Sequence, residues 1–215
     1  MAVLLNSFIP LAINKRGKAS ASKYNLPLYI DGSCRREPDF ENINPAITQL
    51  CRPGKLVTRL HNKDLVIYIT KLGSYGTKQP HWKLISILEV IDIVSDHNSA
   101  LSYYTSRKIP ISQNIMCSST MPFPLEKTHG INENNKNNTD AVKVINRWNA
   151  GYMYRAKKHP EVAITRVWND ILFLNNPPVI NHQMMFDIFG RIPGTQNPPK
   201  LDNKEWSNFR KVMNI

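Results

Sequence analysis

Two stretches of the chain have the make-up of buried strands. Asp64 to Lys71, DLVIYITK, is rich in β-branched and aromatic residues and too short for an ordinary helix, so it predicts a strand. Trp82 to Val94, WKLISILEVIDIV, predicts a long strand or a bent strand pair. Trp82, Leu84, Ser86, Leu88, Val90 and Asp92 share one face, while Lys83, Ile85, Ile87, Glu89, Ile91 and Ile93 share the other. Neither face is cleanly polar, which suits a strand buried on both sides over part of its length. Met1 to Ile13, MAVLLNSFIPLAI, predicts the first buried strand. A secretory signal carries its basic residues ahead of the apolar run, and here they follow it. Leu26 to Asp31 predicts a short strand that ends at the Asp31-Gly32 turn. Asn44 to Leu50 predicts a short helix or strand before the Pro53-Gly54 turn, and Glu161 to Val167 and Ile171 to Leu174 predict two more strands.

Helical spacing is found in fewer places. Ser95 or Asp96 can cap a helix over His97 to Arg107. A second helix is expected from Thr139, with Ala141, Val144, Ile145, Trp148 and Tyr152 on one face and Pro160 as its stop. A last helix is expected near Asn203 to Met213. The polar run 14–23 reads as a loop, Ser33 to Phe40 (SCRREPDF) as an exposed, Pro-broken loop, and Ile109 to Gly130 as a packed loop. Ile131 to Asn138 is polar low complexity and reads as a flexible loop or linker. Strands do not alternate strictly with helices, which disfavours a doubly wound parallel sheet. The expected fold is α+β: one domain over residues 1–215, built on a small, mostly antiparallel β-barrel with flanking helices. Residues 26–130 would form the barrel core, and 139–215 would complete it.

Composition narrows the class. The 215 residues are 41% apolar and 20% charged, enough for a buried core and too apolar for a disordered chain. No apolar run reaches the roughly 18 residues that span a bilayer, so no membrane partner is expected. The three cysteines, Cys34, Cys51 and Cys117, are an odd, widely spaced set without a Cys-x-x-Cys pair. That argues for the cytoplasm and against a zinc site. Net charge is +12. Residues 1–107 carry 14 Lys and Arg against 8 Asp and Glu, and residues 108–215 carry the same, so each half contributes +6. A distributed positive excess attracts polyanions; it also serves simply to keep a surface soluble.

Candidate chemistry concentrates in two loops. Asp31, Glu37, Asp39 and Glu41 surround Arg35 and Arg36. Asp31 and Glu37 are the candidate acid and base, while the Arg35 and Arg36 forks match phosphate or carboxylate oxygens. The spacing of the acids matches no metal loop, and no metal is expected. Cys34 beside two arginines is a weaker candidate thiolate. Arg52, Lys55, Arg59 and Lys63 form a second basic set suited to backbone phosphates, and Arg191 opens a Pro/Gly-rich strap that could reach a base edge or seal the core. No Walker loop, dinucleotide fingerprint, zincin helix or nucleophile elbow is present, so no cofactor is expected.

The order of apolar strand (His61 to Tyr68), Gly/polar loop, long strand (Trp82 to Val94) and helix with paired Tyr103 and Tyr104 resembles the PUA-like superfamily, which includes EVE, YTH and ASCH domains. With Asp31-Gly-Ser-Cys-Arg-Arg-Glu-Pro-Asp and Leu50-Cys-Arg-Pro, residues 28–107 look more narrowly like bacterial and phage nucleotide modification associated domains. The resemblance implies a barrel whose mouth accepts a base or modified base, with nucleic acid or a nucleotide as partner. Tyr68, Tyr75 and Trp82 would then stack on the base, and Arg35, Arg36, Arg52, Lys55, Arg59 and Arg191 would hold phosphates. Two other classes stay open: an enzyme editing a modified nucleotide through the Asp31–Glu41 loop, and a basic module for a protein partner.

Overall fold

Val3–Phe8 (β1) is buried along its whole length and pairs in parallel with Leu65–Thr70 (β3), in the register Val3 with Leu65 and Phe8 with Thr70. Parallel neighbours cannot be joined by a hairpin. The chain between them therefore crosses one face of the sheet, and that crossover carries both loops of candidate chemistry. It holds a helix, Lys15–Tyr24 (α1), and the two-residue strand Ala46–Ile47 (β2). The computed structural model describes residues 1–131 and 140–215, so most of the expected linker at 131–138, and the start of a helix at Thr139, lie outside the described residues.

Trp82–Val94 (β4) runs antiparallel to β3, and Val162–Leu172 (β5) runs antiparallel to β4. Helix His97–Ser106 (α2) follows β4, its first turn capped by Asp96, which accepts from the Ser99 backbone N–H. Ala141–Lys158 (α3) is capped by Asp140. Val179–Ile180 (β6) pairs with the start of β4, His182–Phe189 (α4) follows, and Lys200–Leu201 (β7) pairs with β1 ahead of Asn203–Met213 (α5). Along the sheet the order is β2-β5-β4-β3-β1-β7, with β6 on β4.

The α+β class holds, and the sheet is mixed because of the β1–β3 pair. The barrel does not form: the sheet is open, ending in the two-residue strands β2 and β7. Packing gives the reason. A small barrel turns one face inward, whereas this sheet buries both. Val3, Leu5, Ile67, Trp82, Leu84 and Ile87 pack on one face under Met185 and Ile188 of α4 and Phe209 of α5. On the other, Leu4, Phe8, Val66, Tyr68, Ile85 and Leu88 pack against Tyr29, Phe40, Ile47 and Leu56 of the crossover. Each such side chain contributes about 1.5–3 kcal/mol on full burial, so neither face can be left open. An irregularity where Tyr68 opposes Ser86 and Ile69 opposes Leu84 shifts the alternation along β4. It places Trp82 and Leu84 on the first face and Ile85 and Leu88 on the second.

Four local expectations are corrected. Residues 14–23 are mostly helix: Asn14 caps α1 by accepting from Gly17, and Asn25 closes it in the left-handed region. The helix buries only Gly17, Ser20 and Ala21, so no apolar stripe announces it. Leu26 to Asp31 forms no strand, although the Leu11 and Ala12 N–H groups donate to Ile30 and Leu28 carbonyls. The two strands expected over 161–174 are the single β5, whose Asn169 and Asp170 both sit at positive φ, as their short polar side chains allow. The segment Ser33 to Phe40 is buried rather than exposed.

Candidate functional site

The C-terminal end of β1 opens a cleft of about 260 Å³ on the crossover face of the sheet. Asn6, Ser7 and Phe8 of β1 form one side. Asp31, Ser33 and Glu37 line it from the crossover, as do Thr48, Cys51 and Arg52 further along, while Trp148 and Tyr152 of α3 close it with His129. Thr195 and Gln196 of the C-terminal strap complete the rim.

The buried 31–37 segment is possible because carbonyls and an amide side chain of the protein take the place of water around its two guanidinium groups. Arg36 is 1% exposed. It donates through Nη1 to the carbonyls of Asp31 (2.6 Å) and Ser33 (3.1 Å), and through Nη2 to that of Lys127 (3.1 Å), with its guanidinium 4.6 Å from the Phe123 ring centre. Arg35 donates through Nε to Asn149 Oδ1 (2.8 Å) and through Nη1 to the Thr120 carbonyl (3.1 Å). Both arginines therefore act as internal ties, and neither lines the cleft; the expectation that they hold phosphate is corrected.

The two candidate acids do come together at the cleft. Asp31 accepts from the Ser33 backbone N–H (2.8 Å), and burial raises its pKa above the usual carboxylate range despite Arg36 nearby. Glu37 accepts from Thr48 N (2.8 Å), Thr48 Oγ1 (2.5 Å) and Asn114 Nδ2 (2.7 Å). Burial outweighs those three donors and pushes its pKa up to about 7. Cys34 is no activated thiol: burial drives it up to about 12, against the pull of Arg35.

The basic rim is narrower than the sequence suggested. Arg52 lines the cleft and straddles its mouth, donating to the carbonyls of Ser7 (3.1 Å), Thr195 (3.3 Å) and Cys51 (3.1 Å). Ser7 and Thr195 also share a hydroxyl hydrogen bond of 2.5 Å, which pins the strap across the rim. Lys55 is exposed in the same turn, and Arg59 donates to the Pro198 carbonyl (2.7 Å). Arg191 lies apart, 3.5 Å from Glu205 of α5.

The expected stacking rings are not in the cleft. Tyr68 is 1% exposed and wedged between Phe8 and Phe40. Its hydroxyl lies beside the Asn6 side chain, so it supports the cleft from beneath. Trp82 is buried on the opposite face of the sheet against His182. Tyr75 packs between Tyr29 and His81. The ring wall is instead His129, Trp148 and Tyr152, with centroids 5.8 and 6.1 Å apart. Of these Trp148 is half-buried while the other two are buried. His129 Nδ1 accepts from the Ile131 N–H, and burial lowers its pKa to about 4, so the ring is neutral and its Nε2 carries the proton. Helical spacing placed Trp148 and Tyr152 on one face of α3; nothing in that spacing said the face would meet the 31–37 segment. Gly32 is what brings His129 so close: a Cβ there would lie 2.2 Å from His129 Cδ2.

Among the described residues no group of His, Cys, Asp and Glu could hold a metal ion, and no helix is long and apolar enough to cross a membrane. Protein-family models, curated proteins and solved structures were all compared with this chain, and none of the three gave a match.

Proposed function

We propose that this protein binds a nucleotide or nucleic acid by taking one base, natural or modified, into the cleft at the end of β1. One observation carries the reading: buried carboxylates, a ring wall and a cationic mouth line the same small cleft. A base has a flat apolar face and a polar edge, so its pocket needs a ring for the one and fixed hydrogen-bonding groups for the other. Trp148 offers the ring, Asp31 and Glu37 face the edge, and Arg52 stands where a phosphate would leave. The volume is below the roughly 300–1,000 Å³ of sites for drug-sized ligands, which suits a single base. The positive charge of the whole chain supports the same reading.

Glu37, with its pKa near 7, favours a second reading in which the acids serve as general acid and base while water hydrolyses a substituent from the bound base, which changes the mass of its nucleoside. One experiment addresses both. Labelled single-stranded DNA and RNA are titrated at low salt by fluorescence anisotropy, and the recovered strands are digested to nucleosides for mass spectrometry. Binding that Trp148→Ala weakens about tenfold or more is expected. No binding to any strand ends the proposal, and nucleosides of unchanged mass end the second reading.

A further inference from the structure

Beside the cations Arg52 and Lys71, the cleft lining holds acidic groups that accept hydrogen bonds. Asp31 and Glu37 both present carboxyl groups, and no lysine or arginine side chain forms an ion pair with either among the described residues. Asn6 adds a second, independent observation. It is 6% exposed, it lines the cleft, and its Oδ1 has no hydrogen-bond partner. The Tyr68 hydroxyl lies beside the amide from below. An unmet buried amide oxygen costs about 1–3 kcal/mol, and a ligand N–H entering the cleft would relieve it.

We infer, resting on the base-cleft reading above, that the cleft selects a base whose polar edge presents adjacent N–H donors, as the ring N–H and exocyclic amino group of guanine do. A carboxylate accepts such a pair side by side through its two oxygens, while the Asn6 oxygen takes a remaining amino hydrogen. Thymine and uracil offer one ring N–H flanked by two carbonyls. Those carbonyls would face the acid oxygens, and like dipoles in a water-poor cleft repel. Hypoxanthine keeps the ring N–H of guanine and lacks the amino group, so it isolates the second donor.

Three nonamers test this: thymidines throughout, or with the central residue replaced by deoxyguanosine or deoxyinosine. Affinities are read by anisotropy at pH 8, for the wild type and for Asp31→Asn, with circular dichroism confirming that the variant is folded. The deoxyguanosine strand is expected to bind about tenfold or more tightly than the other two. Asp31→Asn, which puts a donor where the acceptor was, should erase that preference. Equal affinity for the three strands overturns the donor-edge inference, and if Trp148→Ala still weakens all three the base cleft itself survives. No binding to any strand overturns both.

Discussion

Glu37 is surrounded by hydrogen-bond donors, yet burial makes its charged form unfavourable, with a pKa near 7 against an ordinary 4.5. Between those two values the native protein holds this proton more tightly than the unfolded chain does, so the contribution of Glu37 to stability falls as pH rises through that window. Asp31, Asp39 and Glu41 are also raised by burial and share the sign. His97 and His129, lowered to about 4, have the opposite one: their contribution is lost as pH falls from 6.5 towards 4. Comparing variants removes the background from the other groups. Going from pH 5 to pH 8, the wild type should lose on the order of 2 kcal/mol more stability than Glu37→Gln, measured by urea unfolding at both values. Identical losses would mean Glu37 titrates as an exposed carboxyl. Sequence placed Asp31 and Glu37 as candidates, with Asp31 at the end of a short strand and Glu37 in an exposed loop. Charge-rich composition was misleading because the solvent for Arg35 and Arg36 is the protein's own carbonyls and amide side chains, which no residue pattern encodes.

Elements were legible where an apolar stripe had to be buried along a regular period. The strands β3 and β4 and the helices α2 and α5 fall within a residue or two of their expected bounds, and α3 ends just ahead of Pro160, its expected stop. Elements held by small residues or by a few contacts were not: α1 buries no large side chain, and β2, β6 and β7 have two residues each. Helix α4 lay outside every expectation even though Met185, Ile188 and Phe189 are buried at helical spacing. Its Asn181 cap, which accepts from Met184, was the available signal. On α3 the two sides of the helix have separable duties. Val144, Ile145 and Ala156 dock it against Cys34 and Leu50 of the crossover, whereas half-buried Trp148 borders the cleft. Ile145→Ala should therefore destabilise by about 2–4 kcal/mol. Trp148→Ala should cost less in stability and more in oligonucleotide affinity. Thermal unfolding and anisotropy on the same two variants separate the effects, and a larger stability loss for Trp148→Ala would make that ring a core residue and no platform.

At the scale of the molecule, the question is how a net charge of +12 is used. Arg35 and Arg36 face inward and Arg191 pairs with Glu205, so the excess that the proposed polyanion would meet must come from elsewhere. The turn holding Arg52 and Lys55 lies against the end of α3, since a side chain added at Gly54 would contact the His159 ring at 3.4 Å. The last turn of α3 carries Arg155, Lys157 and Lys158, and Lys55, Lys157 and Lys158 are exposed. These cations stand next to the cleft mouth through Arg52, where a strand leaving a captured base would run. Each phosphate neutralised releases counterions, so the logarithm of affinity falls with the logarithm of salt by about 0.7 for every contact to a single strand. Lys55→Ala and Lys158→Ala should each flatten that slope by about one contact's worth and weaken all sequences alike, leaving any preference for the central base intact. Lys211→Ala, on α5 across the sheet, serves as the control and should leave the slope unchanged. Anisotropy titrations at four salt concentrations give the slopes of the wild type and the three variants. Equal slopes for the four proteins would mean that the charge at this end of the molecule serves solubility alone, and the strand would need another route out of the cleft.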